Sequence, residues 1–337
     1  MMMLAFLLLG LGEALQLSQT TSWTARSVVG ARSVVMTSQT PKAYGEKSRR
    51  RALEETVSSL VTIATTTSFP QGVNAAATKK VLVAGATGQT GRRVLERLSE
   101  LDGVEVVGGV RNVDKAAKAL AESSIAVRGA MIQQVAGLST KEVALSPLDV
   151  VRDDAATLAE TMKGYDALVI AIGFVPGNPL KMDAAAHAVD NVGTKKLADA
   201  ADAAGVKKVV LVSSILTNGR NWGQADSPGF VVTNAFGHVL DEKIEAENYL
   251  RSKKNLDYTI VRPGGLKAKP PAAGLKVSKE DTLNAGEVSR DYVADVCVAA
   301  LFDAKASNKV VEIIEDDALP LKPLAPSPNL PPAVPFI

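Results

Sequence analysis

The chain has 337 residues, with 38 Lys and Arg against 36 Asp and Glu, two His and one Cys. A single cysteine excludes an intrachain disulfide and a metal site built from clustered cysteines, and so few histidines give no reason to expect a metal of any kind. Residues 1–77 hold seven basic and four acidic side chains, so the rest carries 31 basic against 32 acidic residues, a near-neutral balance that gives no reason to expect a nucleic-acid partner.

Residues 1–77 differ in composition from the rest and are predicted to be a bipartite targeting leader. A short apolar run at residues 4–11, followed by small residues, indicates a signal peptide over about residues 1–14. Residues 15–77 are predicted to be a transit segment, because residues 15–50 are rich in Ser, Thr and Arg and hold one acid, Glu46. This arrangement resembles the leaders of plastids with additional membranes, so we predict the chloroplast stroma. Secretion is one alternative, and the thylakoid lumen or membrane, reached through a twin-arginine segment near residues 49–51, is another.

A glycine loop follows the first predicted strand, residues 79–84, and is the most informative stretch of the chain. It reads Gly85-Ala86-Thr87-Gly88-Gln89-Thr90-Gly91 and opens into a predicted helix. Glycines allow a tight turn, a close approach of backbone to phosphate and the packing of helix on strand, while the helix start presents free N–H groups. The loop therefore predicts a pyrophosphate site. The alternative is an ordinary strand-to-helix turn, in which such glycines are also common.

A second apolar run, residues 104–110, ends in Arg111, about twenty residues after the last glycine of the loop. A dinucleotide fold places at this point the group that contacts the adenosine ribose. An acid there would accept a hydrogen bond from the 2′-hydroxyl and favour NAD, whereas a guanidinium suits a 2′-phosphate. Arg111 therefore predicts NADP (NADPH) as the cofactor. The alternative is a solvated arginine at the end of a strand.

Apolar runs and helical segments alternate along the remainder of the chain. The strands are predicted near residues 79–84, 104–110, 141–147, 166–172, 207–213, 257–262 and 309–314. Helical periodicity lies between them, at residues 158–162, 184–204, 239–250 and 288–301, and residues 121–140 are predicted as an extended second helix and a loop. The alternation predicts an α/β protein: a single-domain Rossmann fold over residues 78–316, with a doubly wound parallel sheet of about seven strands and helices on both faces. We expect no membrane span in this domain.

The last residues, 317–337, carry a proline at nearly every third position up to Pro335. Proline cannot continue a helix or donate to a sheet, so we predict an extended, mobile and disordered tail. Docking of this tail on an SH3-like partner is the alternative.

Several motifs occur in order along residues 79–315 and together carry a resemblance. They are the glycine loop with Arg111, Asp149-Val150, Ala171-Ile172-Gly173, Asn191-Val192-Gly193-Thr194, Val212-Ser213-Ser214-Ile215-Leu216, and Arg262-Pro263-Gly264-Gly265-Leu266 followed by Glu280-Asp281-Thr282-Leu283 and Ser289-Arg290-Asp291. The chain resembles the atypical short-chain dehydrogenases/reductases, in the branch of plant and algal chloroplast NAD(P)-binding proteins. That branch is related to the dehydrogenase-like subunit of the inner-envelope import translocon.

The resemblance implies a set of cofactor contacts. Thr87 to Thr90 would line the pyrophosphate, Arg111 the 2′-phosphate, and Asp149 and Val150 the adenine. The remaining contacts, at the ribose and nicotinamide, would come from Ala171, Ile172, Gly173, Ser213, Lys243, Pro263 and Gly264, so that the complete set is Gly85, Thr87, Gly88, Gln89, Thr90, Gly91, Arg111, Asp149, Val150, Ala171, Ile172, Gly173, Ser213, Lys243, Pro263 and Gly264. Plainer alternatives remain open: Asp149 as a turn residue, Asn191 as a cap or packing residue, and residues 171–173 as a tight strand exit.

The catalytic positions depart from the family pattern. Family members protonate the alkoxide left by hydride transfer with a tyrosine four residues before a lysine. Lys243 fits the lysine, but Val239 stands in place of the tyrosine, and Ile215 and Leu216 stand where a hydroxyl is usual. The resemblance leaves Lys243 and Ser214 as the candidate catalytic residues. His238, His187 and Tyr258 are weaker substitutes, since each is better explained by an ordinary position on a helix or strand.

Three functions follow from this pattern. The first is an NADPH-dependent reductase of a small aromatic or carbonyl substrate, working without the usual tyrosine. The second is a non-catalytic NADPH-binding redox sensor with a plastid protein partner. The third is a structural subunit of a plastid complex that retains its nucleotide for stability.

Overall fold

The computed structural model describes residues 78–121, 124–128, 131–135, 143–324 and 329–337, with residues 124–128 and 131–135 described by their backbone alone. The predicted leader, residues 1–77, lies outside the described residues.

Twelve strands occur within the described ranges. They are β1 (Lys79–Ala84), β2 (Val104–Val110), β3 (Ser124–Arg128), β4 (Met131–Val135), β5 (Ala144–Pro147), β6 (Ala167–Ile170), β7 (Lys208–Val212), β8 (Asp257–Pro263), β9 (Gly265–Lys267), β10 (Gly274–Lys279), β11 (Glu287–Ser289) and β12 (Lys309–Asp316). Eight of them form one sheet in the order β10-β12-β8-β7-β6-β1-β2-β5. Seven of these run parallel, as the apolar runs predict, and β10 is an added antiparallel strand on one edge.

Helices connect the parallel strands. They are α1 (Gln89–Ser99), α2 (Val113–Ala121), α3 (Ala155–Met162), α4 (Met182–Ala186), a π-helical segment (His187–Gly193), α5 (Thr194–Ala204), α6 (Pro228–Asn234), α7 (Val239–Arg251) and α8 (Arg290–Ala300), with short 3-10 turns at Pro179–Lys181 and Ala304–Ala306. The chain first adds β2 and β5 on one side of β1, and then crosses over to add β6 on the other side of β1. This change of direction opens a crevice at the carboxyl ends of the strands, which is where ligands bind in such folds.

The side chains of β1 alternate between two apolar layers. Val81 and Val83 pack in a cluster with residues of α1, α2 and α8, whereas Leu82 and Ala84 pack with residues of α3, α5 and α7. Successive side chains of a strand point to opposite faces, so a strand that is apolar throughout must be covered on both. The Rossmann fold with helices on both faces is therefore confirmed.

Ion pairs join α1 to α8 beside the glycine loop. Arg93 Nε lies 3.2 Å and Arg97 Nη2 lies 3.1 Å from Asp291 Oδ1, and Arg97 also pairs with Asp295. These contacts hold α1, the helix that begins at the glycine loop, against α8. They give Asp291 of the Ser289-Arg290-Asp291 motif a structural role.

Three segments differ from the sequence prediction. Helix α2 ends at Ala121 and is followed by the antiparallel hairpin β3-β4 in place of an extended helix and loop. The two runs are rich in β-branched residues and are separated by two residues that include Gly129, a pattern typical of a hairpin. Strand β10 was not predicted, and residues 287–289 form β11 before α8 begins at Arg290.

The C-terminal segment is extended but packed. Its described residues, 317–324 and 329–337, hold no helix or strand, yet Val334 and Phe336 are only 6 % and 7 % exposed and join the core cluster of α1 and α8. The Ala333 N–H donates to the Leu324 carbonyl at 2.9 Å. The structure differs from the predicted disordered tail at Val334 and Phe336, because these apolar side chains between the prolines are packed on the core.

Cys297 provides a chemical test of the packing of α8. The thiol is fully buried, and burial, with a contribution from Asp295, raises its pKa to about 12. The nucleophile is the thiolate, so we expect a thiol reagent to leave the native chain unmodified at neutral pH and to label one thiol per chain in denaturant. Absorbance with Ellman's reagent measures both. Equally fast labelling in the two conditions would show that α8 is not packed as described.

Candidate functional site

Two glycines of the loop between β1 and α1 leave no room for a side chain. Gly85 has φ +83°, and a Cβ there would lie 2.6 Å from the carbonyl oxygen of Ala171. A Cβ at Gly91 would lie 2.9 Å from the carbonyl carbon of Gly85 and still closer to its oxygen. The Gly88 N–H donates to the Gly85 carbonyl at 2.9 Å. The loop is therefore a tight turn held against the exit of β6, as the glycine spacing predicts.

Helix α1 begins at this loop without a side-chain cap. Gly88 is its N-cap, no side chain accepts a hydrogen bond from its first turn, and the first turn holds no acid. The N–H groups of a first helical turn have no partner within the helix, and the helix dipole makes this end positive. The start of α1 is consequently suited to an anionic group such as a diphosphate.

A cleft of about 420 Å³ lies at the carboxyl ends of β1, β2, β5 and β6. Its lining is Gly85, Thr87, Gly88, Gly109, Val110, Arg111, Leu148, Val150, Val151, Ala171, Ile172, Gly173, Phe174, Val175, Ala185 and Val189. Eight residues predicted to contact the cofactor are among them, namely Gly85, Thr87, Gly88, Arg111, Val150, Ala171, Ile172 and Gly173. The cleft thus joins a polar floor at the loop to apolar walls, the composition expected of a nucleotide pocket.

Arg111 supplies the positive charge of this cleft. Its side chain is exposed at the end of β2 and makes no hydrogen bond or ion pair with any residue that the structure describes. The guanidinium is therefore free to pair with an anionic ligand, and its planar fork matches a phosphate.

Asp149 is used by its own turn. Its Oδ1 accepts hydrogen bonds from the N–H of Val151 at 3.0 Å and of Arg152 at 3.3 Å. It does not line the cleft, although the following residue, Val150, does. This geometry favours the turn residue over a direct adenine contact, which was the alternative left open by the sequence.

Gln89, Thr90 and Gly91 form the first turn of α1, behind the part of the loop that lines the cleft. Thr90 is buried, and Gly91 is required for the contact of α1 with Gly85. These residues set the position of the helix start, and their contact with a cofactor stays a prediction.

Lys243 and Ser213 border a second, much smaller hollow next to the cleft, and Ile172 borders both. Lys243 Nζ lies 2.7 Å from Asp190 Oδ1, and the Ser213 hydroxyl donates to Glu247. Ser214 is half-buried, and no hydrogen bond of its side chain occurs in the described part of the chain. The geometry keeps Lys243 beside the cleft and occupies Ser213 in a structural contact.

Pro263 and Gly264 end β8 at the same edge of the sheet but do not line the cleft. The Pro263 carbonyl accepts from the N–H of Ile215 at 3.0 Å, and a Cβ at Gly264 would lie 2.5 Å from the carbonyl oxygen of Gly286. Backbone packing alone accounts for the glycine. Their contact with a nicotinamide stays a prediction.

The positions of the missing catalytic hydroxyls are filled by apolar core. Ile215, Leu216 and Val239 are buried in a cluster with Phe230 and Leu240. Phe174, which lines the cleft, packs against the same cluster. The cleft therefore meets hydrocarbon where related enzymes present a tyrosine and a serine or threonine.

The two histidines lie outside the cleft. His187 Nδ1 is 3.0 Å from Glu242 Oε2, and His238 Nδ1 is 3.4 Å from Asp183 Oδ1. Both rings are more than half exposed, and neither residue lines the cleft. The geometry gives neither a direct role as proton donor.

Sequence reasoning missed Asp190, Glu247 and Glu312 as buried charges. Each is at most 2 % exposed and is paired with a cation from another element. An acid placed at an apolar helix or strand position was the available signal, but its partner lies tens of residues away in the chain. Across the described ranges no helix is long and apolar enough for a membrane span, and no group of three or more metal-ligating side chains converges.

A sequence profile of NAD(P)H-binding proteins matches residues 85–304, which include the glycine loop, the cleft and six of the eight strands of the main sheet. The chain belongs to this NAD(P)H-binding family. Its fold matches the solved oxidoreductase ylbE of Lactococcus lactis with a TM-score of 0.55, over 70 % of this chain and 91 % of that one, at 24 % identity.

Three plant proteins are similar in sequence to this NAD(P)H-binding protein. The chloroplast protein At2g34460 of Arabidopsis thaliana is 42 % identical over 72 % of this chain and 78 % of its own length. The chloroplast protein TIC 62 of Pisum sativum is 32 % identical over 72 % of this chain, and the chain spans only 44 % of that protein. Sanguinarine reductase of Eschscholzia californica is 30 % identical over 69 % of this chain and 88 % of its own length. The resemblance to chloroplast NAD(P)-binding proteins, TIC 62 among them, is confirmed.

Proposed function

We propose that the chain binds NADPH and uses it to reduce a small aromatic or carbonyl substrate in the plastid. The observation that carries the proposal is the cleft itself, in which an uncapped helix start and an arginine without a partner among the described residues line one pocket at the switch point of the sheet. Such a pocket suits the diphosphate and the 2′-phosphate of NADP.

The residues of the cleft fit this cofactor. The N–H groups at the start of α1 would hold the diphosphate, Arg111 the 2′-phosphate, and Val150 with Val151 the adenine face. The apolar side chain of Phe174 would contact the nicotinamide end. When bound, NADPH supplies the hydride that the protein itself lacks.

A reductase that lacks a side-chain acid limits its substrates. Hydride transfer to a simple ketone leaves an alkoxide that needs a proton at once, and apolar Ile215, Leu216 and Val239 supply none. An aromatic acceptor that delocalises the added charge can take its proton from water. Similarity to a named reductase over most of both chains supports the same reaction class.

NADPH consumption tests the activity. We expect the chain to oxidise NADPH in the presence of a flat aromatic acceptor and to leave simple aliphatic ketones unreduced. Loss of NADPH absorbance over a panel of both acceptor types measures this. NADPH binding without oxidation by any acceptor would reject the reductase in favour of the second candidate.

That second candidate is a redox sensor or structural subunit that binds NADPH without chemistry. It is favoured by the apolar residues at the positions where catalytic hydroxyls were expected, and by similarity to TIC 62, a chloroplast protein. Capture of plastid proteins on the immobilised chain, with NADPH or NADP present, separates sensor from subunit: a sensor changes its partners with the redox state of the nucleotide. We infer residence in the plastid stroma from residues 1–77 and from the chloroplast relatives.

Charge reversal at Arg111 tests the choice of cofactor. We expect Arg111→Asp to weaken NADPH binding about 10- to 100-fold and to change NADH binding far less, because only NADPH carries the 2′-phosphate that a charge-assisted hydrogen bond would hold. Calorimetric titration of both nucleotides measures the difference. Arg152→Asp is the control, since Arg152 is exposed and does not line the cleft. Equal losses for NADPH and NADH would reject the assigned role of Arg111.

A further inference from the structure

Two consecutive residues of the π-helical segment pair with two consecutive residues of α7. Asp190 Oδ1 lies 2.7 Å from Lys243 Nζ, and Asn191 Nδ2 donates to Glu242 Oε2 at 2.6 Å. Both contacts lie between the π-helical segment and α7, and π-helical turns are frequent at functional sites.

The Asp190 carboxylate lies directly behind the wall of the cleft. Its Oδ2 accepts a hydrogen bond from the N–H of Phe174 at 2.9 Å, and a Cβ at Gly173 would lie 3.7 Å from its Oδ1. Gly173 and Phe174 both line the cleft. Asp190 is 2 % exposed, and a carboxylate so deeply buried needs a counter-charge, which Lys243 provides.

Lys243, in contrast, is partly exposed at the small hollow beside the cleft. Its side chain is 17 % exposed and borders the small hollow that shares Ile172 with the cleft. A pair that served packing alone would be enclosed on both sides, as Arg262 and Glu247 are. The Lys243 ammonium carries three N–H donors, so it can bind a ligand while it stays paired by charge with Asp190.

We propose that Asp190 is a positioning residue that fixes the Lys243 ammonium at the nicotinamide-ribose end of the cleft. This inference rests on the proposed binding of NADPH. Val239, one turn before Lys243, has no polar atom, and Asp190 is the charged partner of Lys243 in the described part of the chain. Asp190 thus holds the Lys243 ammonium from behind the cleft wall, in place of a polar side chain at position 239 of α7. Without it, the four-carbon stem of the lysine is free to turn away.

The test compares two ligands in the full chain. NADPH carries the nicotinamide ribose, and adenosine 2′,5′-bisphosphate carries the adenosine end without it. We expect Asp190→Asn to weaken NADPH about tenfold or more and to leave the bisphosphate within about twofold, because only NADPH loses a hydrogen bond from the positioned ammonium. Calorimetry measures both affinities, and the fluorescence of bound NADPH is expected to shift in the variant as its nicotinamide end loosens.

Asp199→Asn is the matched control. Asp199 lies on α5 and pairs with Lys253 away from the cleft, so its replacement removes a similar ion pair without touching the site. A second variant carries Asp190→Leu with Lys243→Met and replaces the pair by apolar side chains, a change that buried ion pairs often tolerate. We expect it to fold, to bind the bisphosphate as the parent does and to lose NADPH affinity.

The outcomes separate the two proposals. A parent chain that binds neither ligand overturns the proposed function and this inference with it. A parent that binds both, together with an Asp190→Asn variant that weakens them equally or not at all, overturns the inference alone. If Asp190→Asn does not fold, the double variant decides, since unchanged NADPH affinity there would also overturn the role of Asp190.

Discussion

Replacing Arg262 with leucine is expected to lower the free energy of unfolding by about 3–5 kcal/mol, because the change leaves buried carboxylates without their counter-charge. Arg262, Glu247 and Glu312 are fully buried. Arg262 Nη2 donates to Glu247 Oε2 at 2.7 Å, and Nη1 reaches Asp281 Oδ1 at 2.7 Å and Glu312 Oε1 at 3.4 Å. Desolvation opposes the charge, but Glu247 and the other carboxylates outweigh it and raise the pKa of Arg262. The guanidinium is therefore charged wherever the chain is folded.

Chemical denaturation followed by circular dichroism measures the loss. Arg220→Leu is the control, because Arg220 makes a comparable two-point contact with Asp241 (2.7 and 2.8 Å) on the surface, where solvent screens it and stability should change little. Adding Glu247→Leu to Arg262→Leu should recover part of the loss by removing one stranded carboxylate. A cost for Arg262→Leu no larger than that of the control would contradict this account.

The Gly91→Ala variant is expected to lose NADPH binding by at least about 100-fold. The new Cβ would lie 2.9 Å from the Gly85 carbonyl carbon and closer to its oxygen, so α1 must move away from the loop. Moving the helix start breaks several backbone hydrogen bonds to one diphosphate, each worth about 1.5–3 kcal/mol when the acceptor is charged. Calorimetric titration with NADPH measures the effect.

Gly103→Ala separates this clash from a general glycine effect. Gly103 has φ +71° but no atom within 4 Å of an added Cβ, so alanine there costs about 1–2 kcal/mol of backbone strain and no contact. We expect that variant to be less stable and to bind NADPH normally. If Gly91→Ala binds NADPH as tightly as the parent, the loop does not hold the diphosphate.

The same contacts give a structural role to the motifs at residues 262–266, 280–283 and 289–291. Arg262 pairs with Glu280 and Asp281, and Glu312 accepts from three successive N–H groups of the 281–283 turn at 2.7–3.0 Å. Ser289 caps α8 through the N–H of Asp291. These motifs thus seat β8, β12 and α8, whereas the residues that line the cleft belong to the amino-terminal half of the domain.

The fold was predictable because its signals are local. Seven nearly continuous apolar runs favour buried strands covered on both faces, and helical segments between them favour parallel crossovers. The loop at residues 85–91 and Arg111 were likewise readable, since glycine geometry and a charge at a strand end depend on near neighbours in the chain. Strand β10 escaped prediction because Lys276 and Lys279 interrupt its apolar pattern and its pairing with β12 is formed at a distance.

The amino-acid sequence alone determined that this chain folds as a doubly wound α/β domain with a tight glycine loop after β1 and an exposed arginine after β2, because period, glycine spacing and charge act over a few residues. Only the tertiary structure decided that Asp149 serves its own turn, that Val334 and Phe336 anchor the C-terminal segment, and that Asp190 holds Lys243. Each of these depends on partners brought together by the packing of separate elements, and no pattern of neighbouring residues encodes which buried charge meets which cation.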